Sequence, residues 1–169
     1  TDMAAMDAPI QIGYFPWGMF GTVRDMMGAE ELLMAFYDEP DMVRDMMHTC
    51  TDVWLAVYEQ IVKAMRVDHI HIWEDMSGKQ GSLISMQMIE DFMMPEYDRM
   101  AAFGRRHGIP ILSVDSDGLV DELVPTMMKH GLNAFLPFEV QAGNDVEEYR
   151  RLYPKLGIMG GLDKSAMAK

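Results

Sequence analysis

The chain predicts an α/β fold built as part of a (β/α)8 TIM barrel, with about five β/α units present. Three observations carry this prediction. Short apolar runs alternate with helical stretches along the whole length, which implies parallel strands joined by right-handed crossovers. The runs are close to continuously apolar, as strands covered on both faces require. No G-x-G-x-x-G follows any of them, so a dinucleotide-binding sheet loses its support.

The elements follow in order. Residues 10–15, IQIGYF, alternate and read as the first strand. PWGMFGTVRDMMG, residues 16–28, reads as a glycine-punctuated loop and turn. AEELLMAFYDEP, residues 29–40, is a short helix stopped by Pro40. The next helix has the clearest pattern. Met42, Val43, Met46, Met47, Cys50, Val53, Trp54, Val57, Tyr58, Ile61, Val62 and Met65 keep the spacing of one helical face. HIHIWED, residues 69–75, is the second strand. Ser85 is suited to cap a helix over 86–107, with a kink or break at Pro95 and an end at Gly108. IPILSVDSD, residues 109–117, is the third strand, and LVDELVPTMMKHG, residues 119–131, the helix after it. NAFLPFEV (133–140) and LGIMGGLD (156–163) are the fourth and fifth strands, separated by the short helix DVEEYRRLYP (145–154). KSAMAK, residues 164–169, begins another helix. Both ends look cut through structure, so we expect one barrel domain over residues 1–169, truncated at each end.

Composition narrows the function classes. The net charge is −13, and an acidic surface repels phosphate, which argues against nucleic acid and anionic membrane as partners. The single cysteine, Cys50, excludes an internal disulfide and suits a reducing cytoplasm. No apolar run approaches the roughly 20 residues of a membrane span. The 20 methionines are unusual; they read either as a soft binding surface or as leucine substitutes in an ordinary core, and their helical spacing favours the core.

In a barrel the chemistry gathers where the strands end. The first strand ends at Pro16 and Trp17, the second at Glu74 and Asp75, and the third at Asp115, Ser116 and Asp117. The fourth ends at Glu139, with Gln141 close behind, and the fifth at Asp163 and Lys164. Consecutive strands thus deliver carboxylates to one rim. Crowded carboxylates raise at least one pKa unless a cation sits among them. Three uses follow: general acid–base work, binding of a cationic group, or metal ligation by oxygen. The plainer alternative is helix capping, which is open to Asp145 and Asp163 above all. His69 and His71 share one side of their strand as an H-x-H pair, but they precede the acids and read first as packed or hydrogen-bonded. His48, His107 and His130 fall on helices or helix ends, where a favourable interaction with the dipole is the ordinary role. Cys50 reads as a structural thiol. No G-x-S-x-G or C-x-x-C occurs, which removes serine-hydrolase and thioredoxin chemistry.

Five segments together resemble the uroporphyrinogen decarboxylase superfamily, which also holds corrinoid-dependent methyltransferases. They are GYFPWGMF with its trailing MMG, WEDMSGKQGSLIS with the later PEYDRM, DSDG, LPFEVQAGNDVEEYRRLYP, and IMGGLDK. The resemblance covers nearly the whole chain. It implies two barrel strands before this segment and one after it, carrying an arginine-rich substrate motif, an essential aspartate and a late histidine. It implies a tetrapyrrole-related substrate, decarboxylation without a cofactor, or methyl transfer with a corrinoid protein as partner; a homodimer is compatible with it. It places Trp17 in the family's PW loop, and Glu74 and Asp75 on an acid-bearing strand end where decarboxylases read Asp-Ser. Asp163 is retained in a late motif whose proline is replaced by Lys164. Where zinc methyltransferases carry H-x-C, this chain has Asp115-Ser116-Asp117-Gly118, so zinc is not expected.

The combined expectation assigns catalysis to Asp75 and Asp117. It assigns substrate binding to Trp17, Glu74, Lys79, Asp115, Glu139, Gln141 and Asp163. Lys79 lies in a glycine-hinged loop, Met76 to Ser82, that could close over a ligand. The decarboxylase substrate carries many carboxylates, and an acidic rim would repel it. The physics therefore favours a divergent member, while the resemblance alone favours decarboxylation. A non-catalytic barrel fragment that serves as a binding or subunit-contact module is the alternative of another class.

Overall fold

The structure, a computed structural model, describes residues 7–13 and 18–167. Its centre is a parallel sheet of β1 (Gln11–Gly13), β2 (His69–Trp73), β5 (Ile111–Asp115), β6 (Ala134–Leu136) and β7 (Gly157–Ile158). Between β2 and β5 lies a small antiparallel hairpin, β3 (Ser77–Gly78) and β4 (Gly81–Ser82). The sheet order is β1-β2-β5-β6-β7, so each new strand adds on the same side as the last. A doubly wound sheet reverses its strand order at a switch point, and this one does not. Winding in a single direction is how a (β/α)8 barrel is built. β1 and β7 are not paired with each other, and the described residues form an open parallel sheet consistent with part of such a wall.

The two faces of the sheet differ. Ile70, Ile72, Leu112, Val114 and Phe135 belong to the apolar core shared with the helices. The alternate positions His69, His71, Ser113 and Asp115 lie on the other face and are polar. This corrects the expectation of apolar runs covered alike on both sides: the helix-facing half is apolar, while the other face mixes these polar residues with Trp73, Ile111, Ala134 and Leu136.

The helices pack on the apolar face. α1 (Met19–Met27) occupies the stretch expected to be loop and turn. Its glycines mislead a reader of local signals. A Cβ on Gly21 would sit 2.6 Å from the Trp73 carbonyl oxygen, and one on Gly18 would sit 1.9 Å from it. These glycines let a helix lie against β2; they do not break it. α2 (Ala29–Asp38) and α3 (Pro40–Ala64) follow, with Pro40 in the first turn of α3. α3 buries Val43, Met47, Thr51, Trp54 and Tyr58, a narrower stripe than its pattern promised, and Val53 and Val57 are exposed. The methionines divide similarly. Met19, Met47, Met76, Met93, Met94, Met100 and Met127 are core residues, while Met26, Met34 and Met42 face solvent.

The helix from Ser85 has three parts: α4 (Met86–Met88), a π-helical turn (Ile89–Met93) and α5 (Met94–His107). Ser85 Oγ accepts from the Met88 amide at 3.2 Å, as a cap should. Pro95 has no N–H for the carbonyl four residues earlier, and the helix widens just before it. Gly108 closes α5 in the left-handed region, at φ 68. α6 (Leu123–Lys129) is shorter than expected, because residues 119–122 form loop and turn ahead of Pro125. α7 (Val146–Leu152) is capped by Asp145, and α8 (Lys164–Met167) follows β7. No helix among the described residues is long and apolar enough to cross a membrane.

The outer histidines join helices to carboxylates. His48 Nδ1 lies 2.9 Å from Glu96, His107 Nε2 3.1 Å from Glu59, and His130 Nδ1 2.9 Å from Asp98. Cys50 is half-buried, and burial pushes its thiol pKa up, which suits a structural role.

Candidate functional site

The ends of β2, β5 and β6 form an acidic rim. The last pair in the β2–β5 register is Trp73 with Asp115, so the residues after them leave the sheet side by side. The Asp115 carbonyl accepts from both the Glu74 and Asp75 amides, at 2.9 and 3.0 Å. That shared acceptor turns the chain sharply, and Asp75 adopts φ 44. The side chains of Glu74 and Asp75 then part company.

Glu74 points inward. It is fully buried, and its carboxylate accepts from the Met19 amide at 2.7 Å and the Gly21 amide at 2.9 Å. The acid thus caps α1 from a distant strand, where the helix dipole favours negative charge. Burial raises its pKa to about 7, and the amides of Gly21, Met19 and Phe20 oppose the rise. The expectation that Glu74 would share one pocket with the other acids is corrected here: its two oxygens are engaged behind the rim.

Asp75 points outward. Arg24 of α1 donates to the Asp75 carbonyl at 2.5 Å, and the same nitrogen is 3.5 Å from the Asp75 carboxylate. The guanidinium also lies 5.0 Å over the Trp73 ring. Arg24 was not among the expected site residues, because it sat in a stretch read as loop.

Asp117, Asp115 and Glu139 complete the rim with Asp75. Partial loss of water raises the Asp117 carboxyl first, and Glu139, Asp75 and Asp115 raise it further while Lys164 opposes them. Glu139 accepts from the Gly118 amide at 2.9 Å and from the Gln141 side-chain amide at 3.0 Å, and it forms an ion pair with Lys164. Lys164, then the Gly118 amide, hold its pKa below the usual range. The β5 and β6 loops are tied by Asn144, which is buried. Its side chain donates to the Gly118 and Glu139 carbonyls at 2.8 and 2.9 Å and accepts from the Val120 amide at 3.1 Å. Asn144 was not among the expected site residues, and Lys164, placed at the end of the fifth strand, was assigned no role there. A buried asparagine in a glycine-containing loop looks locally like turn chemistry.

Two further expectations are corrected. Lys79 does not reach inward: it is exposed at the tip of the β3–β4 hairpin. That hairpin is not a free loop, since the Leu119 amide donates to the Gly78 carbonyl at 2.9 Å and Ser77 Oγ donates to the Leu119 carbonyl. Asp163 caps α8, accepting from the Ser165 and Ala166 amides at 2.9 and 3.3 Å. Its carboxylate does what a helix-capping reading allows and is not joined to the rim by any of these bonds. Trp17, with the rest of the 14–17 stretch, lies outside the described residues.

His69 and His71 meet over one hydroxyl. Ser113 Oγ is 2.6 Å from His69 Nε2 and 2.8 Å from His71 Nδ1. Among the described residues no three His, Cys, Asp or Glu side chains are arranged to hold a metal ion.

The rim can do two things chemically. Asp117, with its raised carboxyl, can donate a proton. The ionised acids around it can stabilise positive charge. Comparison with curated proteins and with solved structures returned no match. A family model, Uroporphyrinogen decarboxylase (URO-D), matches residues 9–169. With that match spanning nearly the whole chain, and a parallel sheet wound in one direction beneath it, the chain belongs to the uroporphyrinogen decarboxylase (URO-D) family.

Proposed function

We propose that the parent enzyme is a divergent member of this family, which transfers a methyl group between a donor carrying positive charge and a corrinoid protein. One observation carries this reading: Asp75, Asp115, Asp117 and Glu139 share a rim on which Lys164 and Arg24 are the facing cations among the described residues. Like charges 4 Å apart repel by about 4 kcal/mol at an effective dielectric of 20. A polycarboxylate substrate would meet that repulsion several times over, and a methylated ammonium or sulfonium group would be attracted instead. Asp75, oriented by Arg24, and Glu139, oriented by Gly118 and Gln141, would hold the cation; Asp117 would protonate the amine released when the C–N bond of an ammonium donor breaks, whereas a sulfonium donor leaves as a neutral thioether and needs no proton. The corrinoid, when its protein is docked, supplies the methyl carrier. The described residues offer no zinc donor set, so no step is assigned to zinc.

A second reading has its own support. The family description favours decarboxylation, and the raised carboxyl of Asp117 suits protonation of the carbon that loses carbon dioxide.

The test is an assay of the full-length protein. Uroporphyrinogen is offered in one arm, with carbon dioxide release measured. A methylated ammonium or sulfonium donor with a corrinoid protein is offered in the other, with the corrinoid spectrum followed. Corrinoid methylation, lost about 100-fold or more in Asp117→Asn, is the expected result. Carbon dioxide release would select decarboxylation. Inactivity in both arms would favour a non-catalytic module.

A further inference from the structure

A second acidic cavity lies beside the loops that carry the rim. Its volume is about 310 Å³, at the small end of ligand cavities. Leu119 and Asp121, in the turn before α6, form one wall; Asp145 and the α7 residues Glu148 and Tyr149, with Tyr153 just beyond, form the other. The two walls are fixed to each other. Asn144, buried next to Asp145, accepts at 3.1 Å from the amide of Val120, which lies between Leu119 and Asp121.

The lining carries one sign of charge. Asp121, Asp145 and Glu148 contribute carboxylates, and no lysine, arginine or histidine lines the cavity. Asp121 and Asp145 each commit Oδ1 to backbone amides: Asp121 to Glu122 at 2.9 Å, Asp145 to Glu147 and Glu148 at 2.9 and 3.0 Å. Glu148 has Arg151 at 3.6 Å, a surface pair that a better-placed cation displaces at little cost.

Solvent alone satisfies an acidic cluster, but it does not explain Tyr149. That residue is 7% exposed, and its hydroxyl is buried without a hydrogen-bond partner among the described residues. Buried polar atoms are rarely left so. Burial raises the pKa of this hydroxyl first, and Asp121, Tyr153 and Glu148 raise it further. Those three residues belong to the cavity wall, so the hydroxyl is on the cavity side of its ring. The ring is braced edge-on by Phe138, with centroids 4.8 Å apart, and the Tyr153 ring lies 6.1 Å away.

We infer that this cavity binds a primary alkylammonium group, whose nitrogen donates to the Tyr149 oxygen among the carboxylates of Asp121, Asp145 and Glu148. A phenolic oxygen accepts from N–H, which a quaternary ammonium lacks. Among the described residues no three carboxylates are arranged to hold a metal ion, so the charge that fits is an organic one. Leu119 and Leu152 supply apolar surface for the alkyl chain, and Tyr153 supplies a ring beside the cation. The site does not rest on the reaction proposed for the rim.

Calorimetry on the full chain with n-butylammonium tests this, and carbon-13 NMR of the tyrosine rings locates the binding. The Tyr149 and Tyr153 resonances, assigned from their phenylalanine variants, should shift on titration. Tyr149→Phe should weaken binding about tenfold or more, as loss of one hydrogen bond to a charged group does. Without ligand it should be at least as stable in urea as the wild type, because it removes only an unpartnered hydroxyl. Asp121→Asn should weaken binding too, and tetramethylammonium should bind less tightly than n-butylammonium. Glu139→Gln, at the rim, should leave the tyrosine shifts intact. Nα-acetyl-lysine amide is a second probe: tighter binding than n-butylammonium would support the site and mark a lysine side chain as its source. The proposal is overturned if n-butylammonium moves neither tyrosine, or if Tyr149→Phe binds as tightly as the wild type. It is equally overturned if Tyr149→Phe is clearly less stable, if tetramethylammonium binds as well, or if Glu139→Gln abolishes the shifts. Tyrosine shifts in a protein inactive with every rim substrate would support this site and count against the rim reaction alone.

Discussion

Arg24 of α1 reaches across to β2 and donates to the backbone carbonyl of Asp75, 51 positions further along the chain. The bond fixes a residue in the left-handed region, where a non-glycine residue needs outside support. Arg24→Ala removes this bond and the contact with Trp73, and is expected to cost about 2 kcal/mol in urea unfolding. Arg24→Lys should recover little of it, because a point charge cannot both donate and lie over the ring.

Gly21→Ala sets two effects against each other. Helix propensity favours alanine by about 1 kcal/mol. The added methyl would lie 2.6 Å from the Trp73 carbonyl oxygen, which is strand backbone and cannot swing aside. Overpacking of this kind costs about 1–3 kcal/mol, occasionally more. Net destabilisation is expected, visible as a lower urea midpoint. Gly104→Ala is the control: its methyl would meet a Leu112 side-chain carbon at 2.9 Å, which can shift, so a much smaller change is expected.

Glu74 makes stability depend on pH in an unusual direction for an acid. Its folded pKa, about 7, is above the ordinary glutamate value of 4.5. Between those values the folded chain binds more protons than the unfolded one, so this residue's contribution falls as pH rises. The full span is on the order of 3 kcal/mol. Glu74→Gln should flatten that slope between pH 4.5 and 7 in denaturation measured across pH, relative to wild type. An unchanged slope would show that the carboxyl is not proton-linked to folding.

Lys164 separates the two neighbouring acids electrically. It lowers Glu139 and restrains the rise of Asp117. Lys164→Met should therefore raise both titration midpoints, read by carbon-13 NMR of the carboxyl groups. High salt should shrink the difference between wild type and variant, since the lysine is exposed.

The β/α alternation, the long stripe of α3, the Ser85 cap and the strand-end acids were all legible in the chain. Each is written in local pattern: period two in strands, three to four in helices, a hydroxyl before a helix. What was misread was written elsewhere. α1 looked like a loop because its cap, Glu74, comes from a strand more than 50 residues away, and because its glycines serve a neighbour's backbone.

The sequence by itself determined the class of fold, the family motifs and the fact that carboxylates follow the strands, since periodicity and order along the chain carry that information. Only the tertiary structure decided which carboxylates face the rim. Asp75 and Glu74 are adjacent in sequence, yet one meets Arg24 at the lip and the other is buried under α1. The separation comes from a backbone turn around the Asp115 carbonyl, and that acceptor belongs to the neighbouring strand. No local pattern records it, because the physical cause lies between strands and not along one.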